Sequence, residues 1–220
     1  MNIAMIPARM GSQRLKKKNL RTINGIPLIK WAIQRCKSAN CFDQIWVNSE
    51  DPAFRQFADV EGVSFYQRPQ KLGDNDATSE QYIANFLENT ACTRVFQVHS
   101  IAPLLSASEI ADFVNAMVER DSDCQLGYEP IQIECAFENQ PINFTFEKKQ
   151  NSQDLNPIQR ISWSITGWKR DAYLAAIGTG LNATYQAGQR AFYPVSSLAS
   201  HVIKTEKDLQ IAQALLSLAT

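Results

Sequence analysis

The sequence predicts a three-layer α/β domain: a doubly wound, mostly parallel sheet with helices on both faces. Three observations predict it. Strand-length apolar runs alternate with helix-period segments in the order β-α-β-α-β-α-β-α-β through about residue 130. Helix starts carry capping chemistry, and helix ends carry glycine or polar stops. A length of 220 residues with 45% hydrophobic content suits one domain able to bury a core.

Ile3–Ala8 is a short apolar run reading as a buried strand, and residues 9–21 read as loop. Asn24-Gly25 signals a turn. From Pro27 onward, apolar residues at 28, 29, 32, 33 and 36 give helix spacing, with proline in a favourable first position. "QIWVNS" at 44–49 reads as a strand; Asp51-Pro52 opens a helix ending near Gly62. A short strand "VSFYQ" and a helix over 79–90 capped by Ser79 follow, then a strand at 94–100. Ser106 with Glu109 three residues on reads as a capping box for a helix to residue 121, and "DCQLGYEP" is the next strand. From 131 to 168 the pattern loosens into an excursion from the sheet. Beyond it come a helix at 169–178, a strand at 190–196 with Pro194 near its edge, a brief strand at about 201–204 and a helix from about Thr205. There is no internal repeat and no low-complexity tract.

Charge is balanced at 22 Lys plus Arg against 22 Asp plus Glu, which argues against a broad nucleic-acid surface. The balance conceals an asymmetry. Nine basic residues precede Asp43, the first acidic one, and five of them (Arg14, Lys16, Lys17, Lys18 and Arg21) fall within eight positions. The five cysteines (Cys36, Cys41, Cys92, Cys124 and Cys135) are odd in number, lack a CxxC pair and read as reduced, small core residues. No apolar stretch approaches a membrane span, and the start lacks signal-peptide character. The expectation is a soluble cytoplasmic protein.

"MIPARMGSQRLKKKNLRTING", residues 5–25, sits where a doubly wound sheet places phosphates, beyond the carboxyl end of its first strand. Gly11 and Ser12 can offer backbone N–H groups, and Arg9, Arg14 and Lys18 can supply charge-assisted hydrogen bonds. Neither the dinucleotide fingerprint nor the P-loop is present. From the residues alone two possibilities stay open, an anion site and a solvated basic loop.

"IPARMGSQRLKKKNL" resembles the signature of the sugar-acid cytidylyltransferases, the acylneuraminate (CMP-sialic acid) synthetase group, roughly I-P-A-R-x-G-S-[KQ]-x-x-x-x-K-N. The matches are Ile6, Pro7, Ala8, Arg9, Gly11, Ser12, Lys18 and Asn19. "INGIPLIKWAI", "FDQIWVNSED" and "GVSFYQRPQKL" follow in the family's order, and "IQIEC…PINF" resembles the branch found in surface-polysaccharide and flagellin-modification clusters. The likeness spans the chain, and it is most specific over the first 72 residues.

The resemblance implies a GT-A-like nucleotide-diphospho-sugar transferase fold and transfer of CMP from CTP to a sialic-acid-like (nonulosonic) sugar acid, with pyrophosphate released. In such chemistry positioning and phosphate neutralisation supply most of the catalysis. By resemblance Ala8, Arg9, Gly11, Ser12, Arg14 and Lys18 surround the triphosphate, Asn19 contacts the nucleotide, Arg68 approaches the cytidine, Ser79 lies near base or ribose, and Gln97 and His99 face the acceptor. The partners implied are CTP or another cytosine nucleotide, a sugar acid, and a second copy of the chain paired through 131–168.

Three stretches depart from the family pattern. "LGDNDAT" puts Asn75 at an aspartate position, with Asp74 and Asp76 beside it. "VHSIAP" puts Ser100, Ile101 and Ala102 where the pattern has Pro, Thr and Ser. "VIKTEKDL" puts Val202 and Lys204 where two aspartates hold the family's Mg²⁺. An ammonium cannot ligate a hard divalent cation and repels it, so Mg²⁺ is expected from the family while its ligands are missing, and no metal ligand is assigned here. Two outcomes follow: Lys204 neutralises phosphate in the metal's place and joins Arg9 and Lys18 as catalytic, or the chain is a binding member without turnover. Asp208 and Glu206 read as helix cap and dipole partners, His201 as a structural histidine, and Trp163 and Trp168 as core or dimer packing, with a place in the sugar pocket also open to an aromatic there.

Overall fold

The computed structural model describes residues 1–218. A seven-stranded sheet runs through its centre. Strand β1 (Asn2–Ala8) leads through the basic loop to a miniature hairpin, β2 (Thr22–Ile23) and β3 (Ile26–Pro27), and on to α1 (Leu28–Ala39). Asn24 and Gly25 both hold positive φ, 50° and 76°, as a two-residue hairpin turn requires. Then come β4 (Gln44–Ser49), α2 (Arg55–Glu61), β5 (Ser64–Gln67), α3 (Ser79–Asn89), β6 (Arg94–Val98), α4 (Ala107–Arg120) and β7 (Cys124–Ile131). A small hairpin, β8 (Ala136–Phe137) and β9 (Gln140–Pro141), precedes β10 (Ile158–Lys169), α5 (Arg170–Gly178), α6 (Ala183–Gln186), β11 (Arg190–Pro194) and α7 (Glu206–Leu218).

The strand order is β11-β7-β10-β6-β1-β4-β5. The pairs β1–β4, β1–β6, β4–β5 and β7–β11 are parallel, as the helix-alternating order dictates. β10 is the exception, lying antiparallel between β6 and β7. The sheet is therefore mixed, and the excursion read from the sequence as 131–168 is shorter. Only 132–157 leaves the sheet; 158–168 is a central strand. Its register shifts between Ile161 and Thr166, which breaks the two-residue alternation that would have revealed it.

Alternation along β1 divides the core. Ala4, Ile6 and Ala8 face Ile29 and Ile33 of α1 and Phe113 of α4, while Ile3 and Met5 face Ile83, Phe86 and Leu87 of α3 and Tyr173 of α5. A third cluster seats α7 through Leu209, Ala212 and Leu216 against Ile23 and Leu28. Both predicted faces are thus covered.

Several local expectations change. α3 is capped by Thr78, one residue before the expected Ser79; Thr78 Oγ1 accepts from Gln81 N at 3.3 Å, and Gln81 Oε1 accepts from Thr78 N at 2.9 Å. Ser106 and Glu109 form the expected capping box of α4. The brief strand expected at 201–204 is irregular chain, docked by Ile203 N donating to Ile101 O at 2.8 Å. Strand alternation therefore says nothing about Val202 and Lys204. Trp168 is core, whereas Trp163 is only half-buried and borders a cavity. All five cysteines are free thiols; Cys36 and Cys124 are fully buried and the others partly so.

Candidate functional site

The strands β1, β4 and β5 end at a buried ion pair. Arg68, just beyond β5, and Glu50, just beyond β4, approach to 2.8 Å with side chains 2% and 4% exposed. The guanidinium also donates to Asn48 O and Ala8 O, each at 2.9 Å, and stacks over Tyr82 with its carbon 4.9 Å from the ring centre. Glu50 Oε1 in turn accepts from Met10 N at 2.9 Å. One carboxylate and one guanidinium thereby fix where the chain leaves β1. Gly73 leaves the necessary room, since a Cβ there would stand 2.2 Å from Glu50 Cγ.

Above this pair the basic loop is braced from inside. The buried Asn19 donates through Nδ2 to Arg9 O at 2.9 Å and accepts from Ser100 Oγ at 2.7 Å. Leu15 anchors the loop in the cluster under α7. Arg9, Arg14 and Lys18 remain facing a cavity of about 480 Å³. Among the described residues, none of these three side chains, nor Lys204, forms an ion pair. Burial and then the charges of Arg14, Arg9 and Lys204 lower the Lys18 pKa. Such like-charge crowding costs stability until an anion enters.

Ala8, Arg9, Ser12, Arg14, Lys18, Asn19, Arg68, Ser79 and His99 all line this cavity. Gly11 is exposed on the loop outside the lining. Two expected roles look different in place. Asn19 and Arg68 spend their polar atoms on the protein, and of Arg68 only the buried Nε lacks a partner. Arg9 donates to Asp74 O at 3.4 Å and Asn75 Oδ1 at 3.3 Å, so the divergent Asn75 meets a residue of the basic loop.

A second cavity of about 420 Å³ adjoins the first, and Ser79 and His99 line both. Gln97, Glu80, Trp163, Asn182 and Tyr185 are among the other residues that line it. Trp163 and Tyr185 meet edge-on with centroids 5.9 Å apart. Gln97 is held by donating to Tyr82 Oη at 2.6 Å. Burial, then the nearby Lys18 charge, depresses the His99 pKa to about 4, so the imidazole is neutral near pH 7.

Sequence reasoning missed Glu50, Tyr82 and Tyr185; for Trp163 it leaves a pocket-lining place open beside packing, and the structure puts Trp163 on the second cavity. The one available signal for Glu50 was an acidic residue directly following an apolar strand.

The donor set does not fit a divalent cation. Among the described residues, no three His, Cys, Asp or Glu side chains group as metal ligands. Glu50 is committed to Arg68, and Asp208 accepts from the backbone N–H groups of Lys204 and Thr205 at 2.9 and 2.8 Å. Glu206 pairs with Arg21 at 2.6 Å. Asp208 thus caps the helix start, as expected, and Glu206, expected as a dipole partner in the same first turn, also forms an ion pair with Arg21. Lys204 is exposed, yet near enough to Lys18 to lower its pKa. His201 is structural, its Nε2 lying 2.9 Å from Asp208 O.

Breaking a buried pair strands the surviving charge. Glu50→Ala is expected to cost about 3–5 kcal/mol of stability, read by urea denaturation. A loss under 1 kcal/mol would show that Arg68 finds other compensation.

Comparison with known proteins places this architecture. The model of the cytidylyltransferase family matches residues 3–167. A pseudaminic acid cytidylyltransferase of Campylobacter jejuni is 28% identical over 167 residues, covering 70% of this chain and 72% of that protein. An N-acylneuraminate cytidylyltransferase of Streptococcus agalactiae is 24% identical over 199 residues, covering 83% of this chain and 47% of the relative. The solved CMP:2-keto-3-deoxy-manno-octonic acid synthetase complexed with CTP superposes with a TM-score of 0.73 at 14% identity, covering 100% of this chain and 99% of its own. A 4-diphosphocytidyl-2C-methyl-D-erythritol synthase from Anaerococcus prevotii gives 0.71 at 11% identity, covering 98% of each chain. These structural likenesses concern the fold. With three-quarters of its length matched by the family model, the chain belongs to the cytidylyltransferase family.

Proposed function

We propose that the protein transfers CMP from CTP to a sialic-acid-like sugar acid and releases pyrophosphate. The observation that carries this is the convergence of Arg9, Arg14 and Lys18, none of them in an ion pair among the described residues, on one cavity that opens into a second at Ser79 and His99. The first cavity takes the nucleotide and the second the acceptor. Arg9, Ser12 and Lys18 hold the triphosphate by charge-assisted hydrogen bonds. Lys204 adds positive charge from the rim. Fixed cations at the phosphates favour the in-line displacement, because they stabilise charge developing on the leaving pyrophosphate. The aromatic wall of Trp163 and Tyr185 and the amides of Gln97 and Asn182 suit a ring bearing hydroxyls and acetamido groups. The relatives act, by their names, on pseudaminic and acylneuraminic acids. A binding-only role rests on positions 202 and 204 alone, and the comparisons lend it no support.

The same reading extends to assembly. The arm 132–157 exposes Ile133, Phe137, Ile142 and Phe146 to 52–69%, an unusual apolar concentration on a surface. A second copy of the chain would cover it. We expect a dimer by light scattering, and a monomer for Phe137→Glu with Phe146→Glu. A wild-type monomer would refute this assembly.

Pyrophosphate release from CTP with nonulosonic acids tests the reaction. Lys18→Ala is expected to weaken CTP binding about 10- to 100-fold by calorimetry, since a hydrogen bond to a charged group contributes about 1.5–3 kcal/mol. Undiminished binding would mean that the loop does not hold the phosphates.

A further inference from the structure

We propose that His99 is the base that takes the proton from the acceptor hydroxyl as it attacks the α-phosphorus. This rests on the transferase reading above and adds to it a chemical role for a residue at the junction of the two cavities. Among the described residues, only Ser79 and His99 border both spaces. A hydroxyl presented from the second cavity to a phosphate in the first must pass that junction. The imidazole forms no hydrogen bond among the described residues, although its backbone is pinned on both sides. His99 N donates to Ser164 O at 3.0 Å, and His99 O accepts from Ala102 N at 3.1 Å. The ring therefore stands on a fixed stretch of backbone with its nitrogens unengaged.

Competing groups are engaged or lie away from the junction. Glu80 accepts from Ala183 N, Glu50 is sealed beneath Arg68, and Asp74 lines the first cavity without bordering the second. Tyr82 is pushed up to about 12, chiefly by burial, and cannot serve as a base at neutral pH. The charged and titratable groups facing this junction are Lys18, Arg9, Arg14, Arg68, Asp74 and Tyr82 on the nucleotide side, with Glu80 and Tyr185 on the acceptor side.

In the step itself, the acceptor oxygen bonds to the α-phosphorus while its proton moves to the unprotonated nitrogen of His99. The bond from the α-phosphorus to the bridging oxygen breaks, and pyrophosphate leaves with that electron pair. The imidazolium then returns its proton to solvent. Nucleotide binding prepares the base: the triphosphate offsets Lys18 and brings negative charge beside the ring, raising its basicity towards the working range.

With only two histidines in the chain, the titration can be read directly. In protein labelled at histidine, with His201→Gln assigning the second signal, the His99 resonance is expected to titrate near 4 alone and at least one unit higher with CTP. In steady-state assays, His99→Gln is expected to keep CTP affinity within about threefold, which also certifies folding. It should lower kcat about 100-fold or more and abolish the acidic limb of the kcat–pH profile. A His99 titration unmoved by CTP overturns the proposal without any variant at that position. So does His99→Gln that retains the limb, or kcat within threefold, while the wild type turns over. A wild-type chain that binds CTP yet releases no pyrophosphate with any acid instead fails the transferase reading, and the proposal with it.

Discussion

The Glu50–Arg68 pair is the constraint on which the rest of the structure depends. It sits where β1, β4 and β5 end, and it touches all three exits: Ala8 and Met10, Asn48, and the chain after β5. A buried ion pair gains little net stability over a well-packed apolar substitute. Its worth here is directional. The carboxylate fixes the first turn of the basic loop through Met10 N, and the loop's cations then project from a rigid base. Gly73 belongs to the same device, because no side chain could pass so close to Glu50.

The site is electrostatically unbalanced by construction. Within a chain of zero net charge, Arg9, Arg14, Lys18 and Lys204 are gathered without carboxylate partners among the described residues. Proteins tolerate such repulsion where it is relieved by a ligand. The nearby acids offset this only weakly. Glu50 is consumed by Arg68, Asp208 by a helix start and Glu206 by Arg21, and Asp74, which lines the cavity, forms no ion pair among the described residues. Position 204 thus adds to the cationic field instead of holding a divalent ion.

Much of this was legible in the sequence, and the reason is locality. The β1–loop–α1 unit announces itself through an apolar run, a small-residue bend, clustered cations and an Asn-Gly turn, all within 40 residues. Capping chemistry gave α4 for the same reason, and misplaced the cap of α3 by one residue because Thr78 and Ser79 are both competent caps. What stayed hidden depends on tertiary pairing. β10 carries a bulge and runs against its neighbours, so neither alternation nor helix-alternating order exposes it. Arg68 looked like a ligand group from its motif, but its partners come from strands that only the fold brings together. The second cavity assembles α3, β6, β10 and the α6 region, which no local pattern joins.

The central claim is that the braced loop after β1 grips a nucleoside triphosphate. A crystal structure of the protein grown with CTP tests it most directly. The account predicts phosphate density within hydrogen-bond reach of Arg9, Ser12 and Lys18, with the α-phosphate turned towards His99. Clear CTP density elsewhere, with those side chains still facing solvent, would contradict it.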